Sequence, residues 1–309
     1  MKIIITGSLG FIGFKATKKF LEDGVHVLGI DCLNPTLYSN SFKEKRLKDL
    51  QMHSNYTHSY HDLRDNLEGR YFEGVDQVVH FAALAGLNKS WDDFKSYQDC
   101  NVLGTFHLLE GMRKFSPNAH LIHISTSSVY GANAIGNENS EINPISPYGI
   151  TKLASENIVK MHQEIYKIDA TILRLFSVYG PDQRPDMGFS KMINQIIERQ
   201  TIRVFGDGGQ SRSNTYIDDV VEAVHTCSKK KPSGIFNVCG SEEKTILEFI
   251  FLAGDIIGNK PKIQFEAERV GDQSRTRGDS QKLRDLTGWA PRVNFAEGVA
   301  SQVLFQKNS

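Results

Sequence analysis

The sequence predicts an α/β protein: a Rossmann-like, doubly wound parallel sheet with a smaller C-terminal lobe. Two observations carry that expectation. Through the first 180 of 309 residues, short apolar runs alternate with segments of helical period, the signature of successive βαβ units. Beyond Gly180 the alternation gives way to turn chemistry, in Gly180-Pro181-Asp182-Gln183-Arg184-Pro185 and again in Gly206-Asp207-Gly208-Gly209.

The elements follow in order. Residues 3–6, 25–30, 75–80, 120–125 and 170–175 read as strands, and 11–23, 93–114 and 148–167 as helices. Right-handed crossovers place the ligands of such a sheet beyond the carboxyl ends of its strands. Residues 215–217, helix-like 219–228 and strand-like 235–238 are candidates to rejoin the sheet, while helices near 245–257 and 296–305 belong to the lobe. The expected division is residues 1–176 plus about 214–240 for a dinucleotide-binding domain, and about 177–213 plus 241–309 for a substrate lobe. The basic clusters 43–48 and 229–231 read as solvated faces or a helix end.

Composition narrows the class. With 39% hydrophobic and 23% charged residues, the usage is globular and argues against a disordered chain or a coiled coil. Lys plus Arg (36) balance Asp plus Glu (36), so no global field holds a polyanion, and nucleic acid and membrane are not expected partners. Four cysteines lie far apart without a CxxC pair, so neither a disulfide framework nor a metal site is expected. No apolar run approaches the ~20 residues that span a bilayer. A cytoplasmic, soluble protein is the expectation.

Thr6-Gly7-Ser8-Leu9-Gly10-Phe11-Ile12-Gly13 falls between a strand and a helix, where a phosphate loop belongs. Gly7 permits the tight turn, Gly10 lets backbone approach a pyrophosphate, and Gly13 lets helix pack on strand; Phe11 and Ile12 complete the contact set. The next strand runs to Asp31, whose carboxylate suits the ribose hydroxyls and repels a 2′-phosphate. NAD is therefore the expected cofactor. Asp62 and Leu63 are placed to contact adenine, with a helix N-cap as the alternative reading of Asp62.

Tyr148 and Lys152 are four apart in a helix-like segment and share one face. A nearby ammonium stabilises phenolate, which makes a tyrosine usable as a base. Ser125-Thr126-Ser127-Ser128 follows the strand at 120–125 and sets hydroxyls at a carboxyl end of the sheet. A hydroxyl there orients a substrate alcohol beside the tyrosine.

The chain resembles the extended short-chain dehydrogenase/reductases, specifically the NAD-dependent nucleotide-sugar epimerases and dehydratases. The matching stretches are TGSLGFIG, GID, HFAALAG, NVLGT, STSSVYG, YGITK, LRLFSVYGP, RVFGDG, TYIDDV and RVGD, in family order along nearly the whole chain. The resemblance implies that Tyr148 removes the sugar 4-hydroxyl proton, that Lys152 lowers its pKa and holds the nicotinamide ribose, and that Thr126 bonds the same hydroxyl. It adds Phe81, Ala82, Ala83 and Asn101 to the cofactor's surroundings. It sets Phe205 against the uracil of a UDP-sugar, with Arg212 and Arg269 on its diphosphate. It also implies a homodimer, paired through the helices at 93–114 and 148–167 in a four-helix bundle.

Members that eliminate water carry an Asp-Glu pair after the catalytic Thr, and decarboxylases a Glu two residues after it; here Ser127 and Ser128 stand there. Without a carboxylic acid, elimination lacks its proton carrier, and 4-epimerisation is the outcome that remains. The segment through Gly180 to Met187 is similar to the GP-x-x-RPDM of UDP-glucuronate 4-epimerases, and Ser127, Ser128, Ser177 and Arg184 are candidates to hold a C6 carboxylate. Arg184 also reads as a loop residue paired with Asp186. Departures from the family are Leu84-Ala85-Gly86-Leu87-Asn88 for Gln-Ala-Gly-Val-Arg, Arg212-Ser213-Asn214 for Arg-Asp-Phe, and Asp182-Gln183 for Trp-Gly. UDP-glucose and UDP-N-acetylglucosamine are the alternative substrates, and a dehydratase or decarboxylase the alternative reaction. Two other classes share the fold, a cofactor-binding sensor and a sugar-alcohol dehydrogenase that releases NADH. The set Thr126, Tyr148 and Lys152 argues against the sensor.

Overall fold

The structure is a computed structural model, and it describes residues 1–268 and 273–308. Strands β1 (Lys2–Thr6), β2 (His26–Ile30), β3 (Tyr56–Ser59), β4 (Gln77–His80) and β5 (His120–Thr126) alternate with helices. These are α1 (Phe11–Glu22), α2 (Asn40–Leu50), α3 (Lys89–Asp92), α4 (Phe94–Gln98) and α5 (Gly104–Phe115). A short β6 (Asn133–Gly136) precedes α6 (Pro147–Tyr166) and β7 (Ala170–Leu175). The chain then passes through β8 (Val178–Tyr179), α7 (Gly188–Ile197), β9 (Thr201–Phe205), β10 (Ser211–Ser213), β11 (Thr215–Tyr216) and α8 (Ile217–Lys230) to β12 (Gly234–Val238).

Seven strands form one parallel sheet in the order β12-β7-β5-β4-β1-β2-β3. The order reverses direction between β1 and β4, and that switch point opens a crevice at the strands' carboxyl ends. Register keeps those ends level: Thr6 lies opposite both Ile30 and His80, and Thr126 opposite Leu175. Gly7, Asp31, Phe81 and Ser127 thus emerge along one rim. Apolar layers cover both faces, one centred on Ile3, Phe20 and Val220, the other on Ile4, Leu108 and Val159.

The remaining elements are β13 (Glu243–Thr245), α9 (Ile246–Ile257), β14 (Lys262–Glu266), β15 (Arg275–Gly278), α10 (Gln281–Thr287) and α11 (Phe295–Lys307). A four-stranded sheet β13-β10-β15-β6 and the pair β14-β9 lie outside the central sheet. Strand β6 joins this set although it precedes α6 in the chain.

Three expectations change. The helix expected over 93–114 runs from Phe94 to Phe115 but is not α throughout: Asp93 caps its start by accepting from the Ser96 amide, and Asp99–Leu103 form a π-helical turn before α5. The segment near 215–217 does not rejoin the central sheet; β11 pairs with β8 alone among the described strands. The basic cluster at 43–48 is not simply a solvated face, because Lys43 and Arg46 are buried on the inner side of α2 with Leu47 and Leu50.

Candidate active site

The glycine loop is built by close approach. Gly7 has φ +68°, and a Cβ there would stand 2.8 Å from the Ala82 amide nitrogen at the end of β4. A Cβ at Gly13 would stand 2.1 Å from the Gly7 carbonyl oxygen, so α1 meets β1 only because residue 13 has no side chain. The Gly7 amide donates to Ile30 O (2.7 Å) and the Gly10 amide to Gly7 O (2.9 Å). Helix α1 starts at Gly10 with no side-chain cap, presenting its first-turn amides to the crevice.

Gly7, Gly10, Phe11, Ile12, Gly13, Asp31, Asp62, Leu63, Phe81, Ala82 and Ala83 all line one cleft. Asp31 is buried and accepts from the Leu33 amide (3.0 Å), the Leu9 amide (3.4 Å) and Lys43 Nζ (2.8 Å). Asp62 begins an Asx turn, accepting from the Arg64 amide and guanidinium, rather than capping a helix. Asn101 is fully buried and stands behind the wall. Its carboxamide accepts from the Leu84 amide (2.8 Å) and donates to Leu84 O and Thr151 Oγ1 (3.0 Å each), tying the loop after β4 to α6. The π-helical turn carries this residue.

Thr126, Tyr148 and Lys152 line the same cleft. Ser146 caps α6 by accepting from the Gly149 amide (3.1 Å), and Pro147 occupies the first turn, so Tyr148 starts the helix and Lys152 follows one turn on. The Tyr148 ring meets Tyr97 edge-on at 6.2 Å. Burial pushes its phenol up, while a hydrogen bond with Thr126 and the Arg184 guanidinium pull it down. The pull from Arg184 is one the sequence did not indicate. Burial brings the Lys152 ammonium down to about 8, with the Glu156 carboxylate opposing it. Beneath them Glu156, fully buried, binds Arg174 through Nε (2.9 Å) and Nη2 (2.7 Å) and accepts from Ser125 Oγ. Arg174 continues to the Tyr130 hydroxyl, which donates to Asn237 of β12. His80 and His123 lie close by, held neutral by burial and by the Lys152 charge.

Ser127 and Ser128, continuing directly from Thr126, and Ser177, Arg184 and Arg212 complete the lining, with Tyr38 and Met187, which lie in segments the sequence resemblance covers, and Gln273, which the sequence did not single out. Thr126 Oγ1 accepts from the Ser128 amide and donates to Ser128 Oγ (3.2 Å each). Arg184 binds Asp186 bidentately (3.0 and 2.7 Å), as its loop reading supposed, and lies 5.5 Å from the Tyr38 ring centroid while still lining the cleft. Arg212 donates to the backbone carbonyls of Ser211, Gln273 and Ser274. Phe205 ends β9 opposite Glu266 and is not among the described residues lining the cleft. Arg269 lies outside the described residues. Lys43 and Arg46 were legible in principle, because positions 43, 46, 47 and 50 share one helical face.

A parallel sheet of this order, a glycine loop at its switch point, and Tyr-x-x-x-Lys facing a threonine define a dinucleotide-dependent short-chain dehydrogenase/reductase. Residues 4–302 match the family described as GDP-mannose 4,6 dehydratase, and the chain belongs to this family of extended short-chain enzymes acting on nucleotide sugars. A Bacillus subtilis (strain 168) protein named uncharacterized UDP-glucose epimerase YtcB is 36% identical over 312 residues, covering 99% of this chain and 98% of its own. UDP-glucuronate 4-epimerase of Thermodesulfobacterium geofontis is 34% identical, covering 99% and 96%. Among solved structures, the Bacillus cereus UDP-glucuronic acid 4-epimerase in complex with UDP-glucuronic acid and NAD superposes with a TM-score of 0.95 at 33% identity, covering 100% and 99%.

Among the described residues, no helix is long and apolar enough to cross a membrane, and no group of three or more His, Cys, Asp or Glu could hold a metal ion.

Proposed function

We propose that this chain is an NAD-dependent 4-epimerase of UDP-sugars, and that its reaction converts UDP-glucuronate to UDP-galacturonate. The observation that carries the reading is the hydroxyl-lined pocket around Tyr148. Thr126 acts on the phenol to lower its pKa, Ser127, Ser128, Ser177 and Arg184 line the same cleft, and no carboxylate occupies the two positions after Thr126. NAD fits the cleft, since a Cβ at Gly13 would fill the loop's cradle, the α1 amides carry no side-chain cap, and Asp31 stands at the ribose end. When bound, NAD supplies the hydride acceptor for C4 of the sugar and the donor that returns hydride to the other face.

The chain's own residues handle the proton. Tyr148 takes it from the 4-hydroxyl while Thr126 holds that oxygen in place, and Tyr148 gives it back to the inverted alkoxide. Lys152, charged below about pH 8, anchors the nicotinamide ribose. Asn101 sets the loop at Leu84 against α6, Arg212 and Arg269 serve the diphosphate, and Phe205 serves the uracil. A 4-keto uronic acid loses CO2 when its C5–carboxylate bond aligns with the carbonyl π system. Hydroxyls of Ser127, Ser128 and Ser177 prevent this by holding the carboxylate out of alignment.

Residues 1–176 plus about 214–240 act as the NAD-binding domain and the rest as the sugar lobe. Pairing of two chains through α5 and α6 is supported by the exposed Leu103, Phe106, Ile150, Met161 and Ile165.

A neutral UDP-sugar is the second reading. It is favoured by Asn88 where the family carries arginine, and by the bidentate bond of Arg184 to Asp186, which offsets its charge. Proton NMR of the sugar H4 signal decides between them. Incubation with UDP-glucuronate should turn a large diaxial coupling into a small one. Inversion of UDP-N-acetylglucosamine or UDP-glucose instead would replace the substrate and keep the mechanism.

A further inference from the structure

Helix α2 reaches both halves of the cleft through two buried cations. Lys43 ends on Asp31, at the ribose end. Arg46, one turn on, is 4% exposed and distributes its guanidinium over two distant segments. Nη1 donates to Leu9 O of the glycine loop (2.9 Å), Nε to Asp182 Oδ2 (3.0 Å) and Nη2 to Asp182 O (2.9 Å). Its planar face lies 5.7 Å from the Phe14 ring centroid, on α1. A planar fork with donors on both segments fixes the distance between them, as a single ammonium on a flexible stem does not.

The segment it grips is under strain. Asp182 has φ +69°, a conformation a non-glycine residue keeps only when its surroundings hold it. Two residues on is Arg184, whose guanidinium lines the cleft and lowers the Tyr148 phenol. Gln183 pins the same loop from the lobe side, donating to Val178 O (3.0 Å) and accepting from the Ser190 amide (3.0 Å). By contrast Thr126, Tyr148 and Lys152 ride on β5 and α6, which Arg46 does not bond.

We infer that Arg46 and Asp182 form a positioning clamp that sets the sugar-facing loop, and Arg184 with it, in register with the cofactor's glycine loop. This rests on the reading of the cleft as an NAD and uronic-acid site. Sugar binding and the hold on the C6 carboxylate depend chiefly on the clamp, and proton transfer at Tyr148 feels it only through the Arg184 charge.

The test compares NAD-loaded wild type, Asp182→Asn, Arg46→Lys and the double variant. With UDP-glucuronate, each single variant should raise KM about tenfold, keep kcat within about threefold, and increase the pentose formed by decarboxylation several-fold. The double variant should be no worse than the poorer single one, because both break one contact. The non-proline amides within 180–187 should exchange hydrogen faster in all three. Unchanged KM and product ratio, with only a lower melting temperature or additive effects, would overturn the clamp and leave an ordinary structural ion pair. If wild type converts only a neutral UDP-sugar, the uronate reading fails, and the KM for that sugar and the loop exchange still decide the clamp. If wild type converts no sugar, exchange at 180–187 with and without added NAD decides it: protection by NAD in wild type and not in Asp182→Asn supports the clamp, and equal response overturns it. Asp182→Asn keeps the side chain's shape, so a folded variant is at hand should Arg46→Lys fail to fold.

Discussion

The two walls of the cleft are built on different foundations. The wall bearing Tyr148 stands on β5, β7 and α6, joined underneath by an ion pair between Glu156 and Arg174 that solvent does not reach. The wall bearing Ser177 and Arg184 consists of loop, held from α2 by Arg46 on Asp182 and within itself by Arg184 on Asp186, while nearer the surface Arg275 of β15 pairs with Glu243 of β13. Proton transfer needs donors and acceptors held to within fractions of an ångström, which packed elements supply. Recognition of a sugar tolerates adjustment, and a loop tied by a few side chains can be retuned while the packed elements opposite keep their geometry.

Substitutions can break that contrast, and the largest effects belong to the packed wall. Tyr148→Phe should lower kcat about 10³-fold while NAD stays bound, measured by turnover and by cofactor released on denaturation. Lys152→Met should also abolish most turnover, yet raise the melting temperature at pH 7. The sign follows from linkage. Burial lowers the folded pKa to about 8, so below that pH the protein carries the full cost of a buried charge, and the cost is relieved as pH rises from there toward the unfolded value. The gain from Lys152→Met should therefore shrink between pH 8 and pH 10 in thermal melts. Glu156→Gln leaves Arg174 buried without its carboxylate and should cost about 3–5 kcal/mol in denaturant titration.

Away from the Tyr148 and Lys152 pair the effects are smaller and fall on selectivity or on a surface pair. Ser128→Ala should shift the product ratio from epimer toward the decarboxylated pentose with little loss of rate, read by NMR. An unchanged ratio would sink the role given to that hydroxyl. Arg275→Gln should do least. Arg275 holds the Glu243 carboxyl down to about 2, so the pair contributes above the ordinary carboxyl range and is lost as pH falls through that lowered value. Wild type and variant should melt together near pH 2 and differ slightly at pH 7.

What the sequence disclosed follows the same division. The parallel strands, the glycine triplet and the pair Tyr148 and Lys152 are legible because each depends on spacing within a few residues. Asn101 marks the limit. Its family motif is readable, but its place behind the wall depends on the π-helical turn and on partners at 84 and 151. The charge run at 43–48 conceals contacts that span 136 residues, from Arg46 to Asp182, and no local pattern encodes that distance. Phe205, at the end of β9 and outside the described lining of the cleft, keeps its assignment on the motif alone.

Strand β12 adds a consequence for how the molecule is made. It pairs along the outer edge of β7, yet its residues follow the whole segment containing β8 to α8. A nascent chain that has emerged only as far as Leu175 presents the amides and carbonyls of β7 as an open edge, which any extended segment can join. Synthesis of the intervening segment is thus an interval of exposure to misassembly, and 234–238 ends it by occupying the edge.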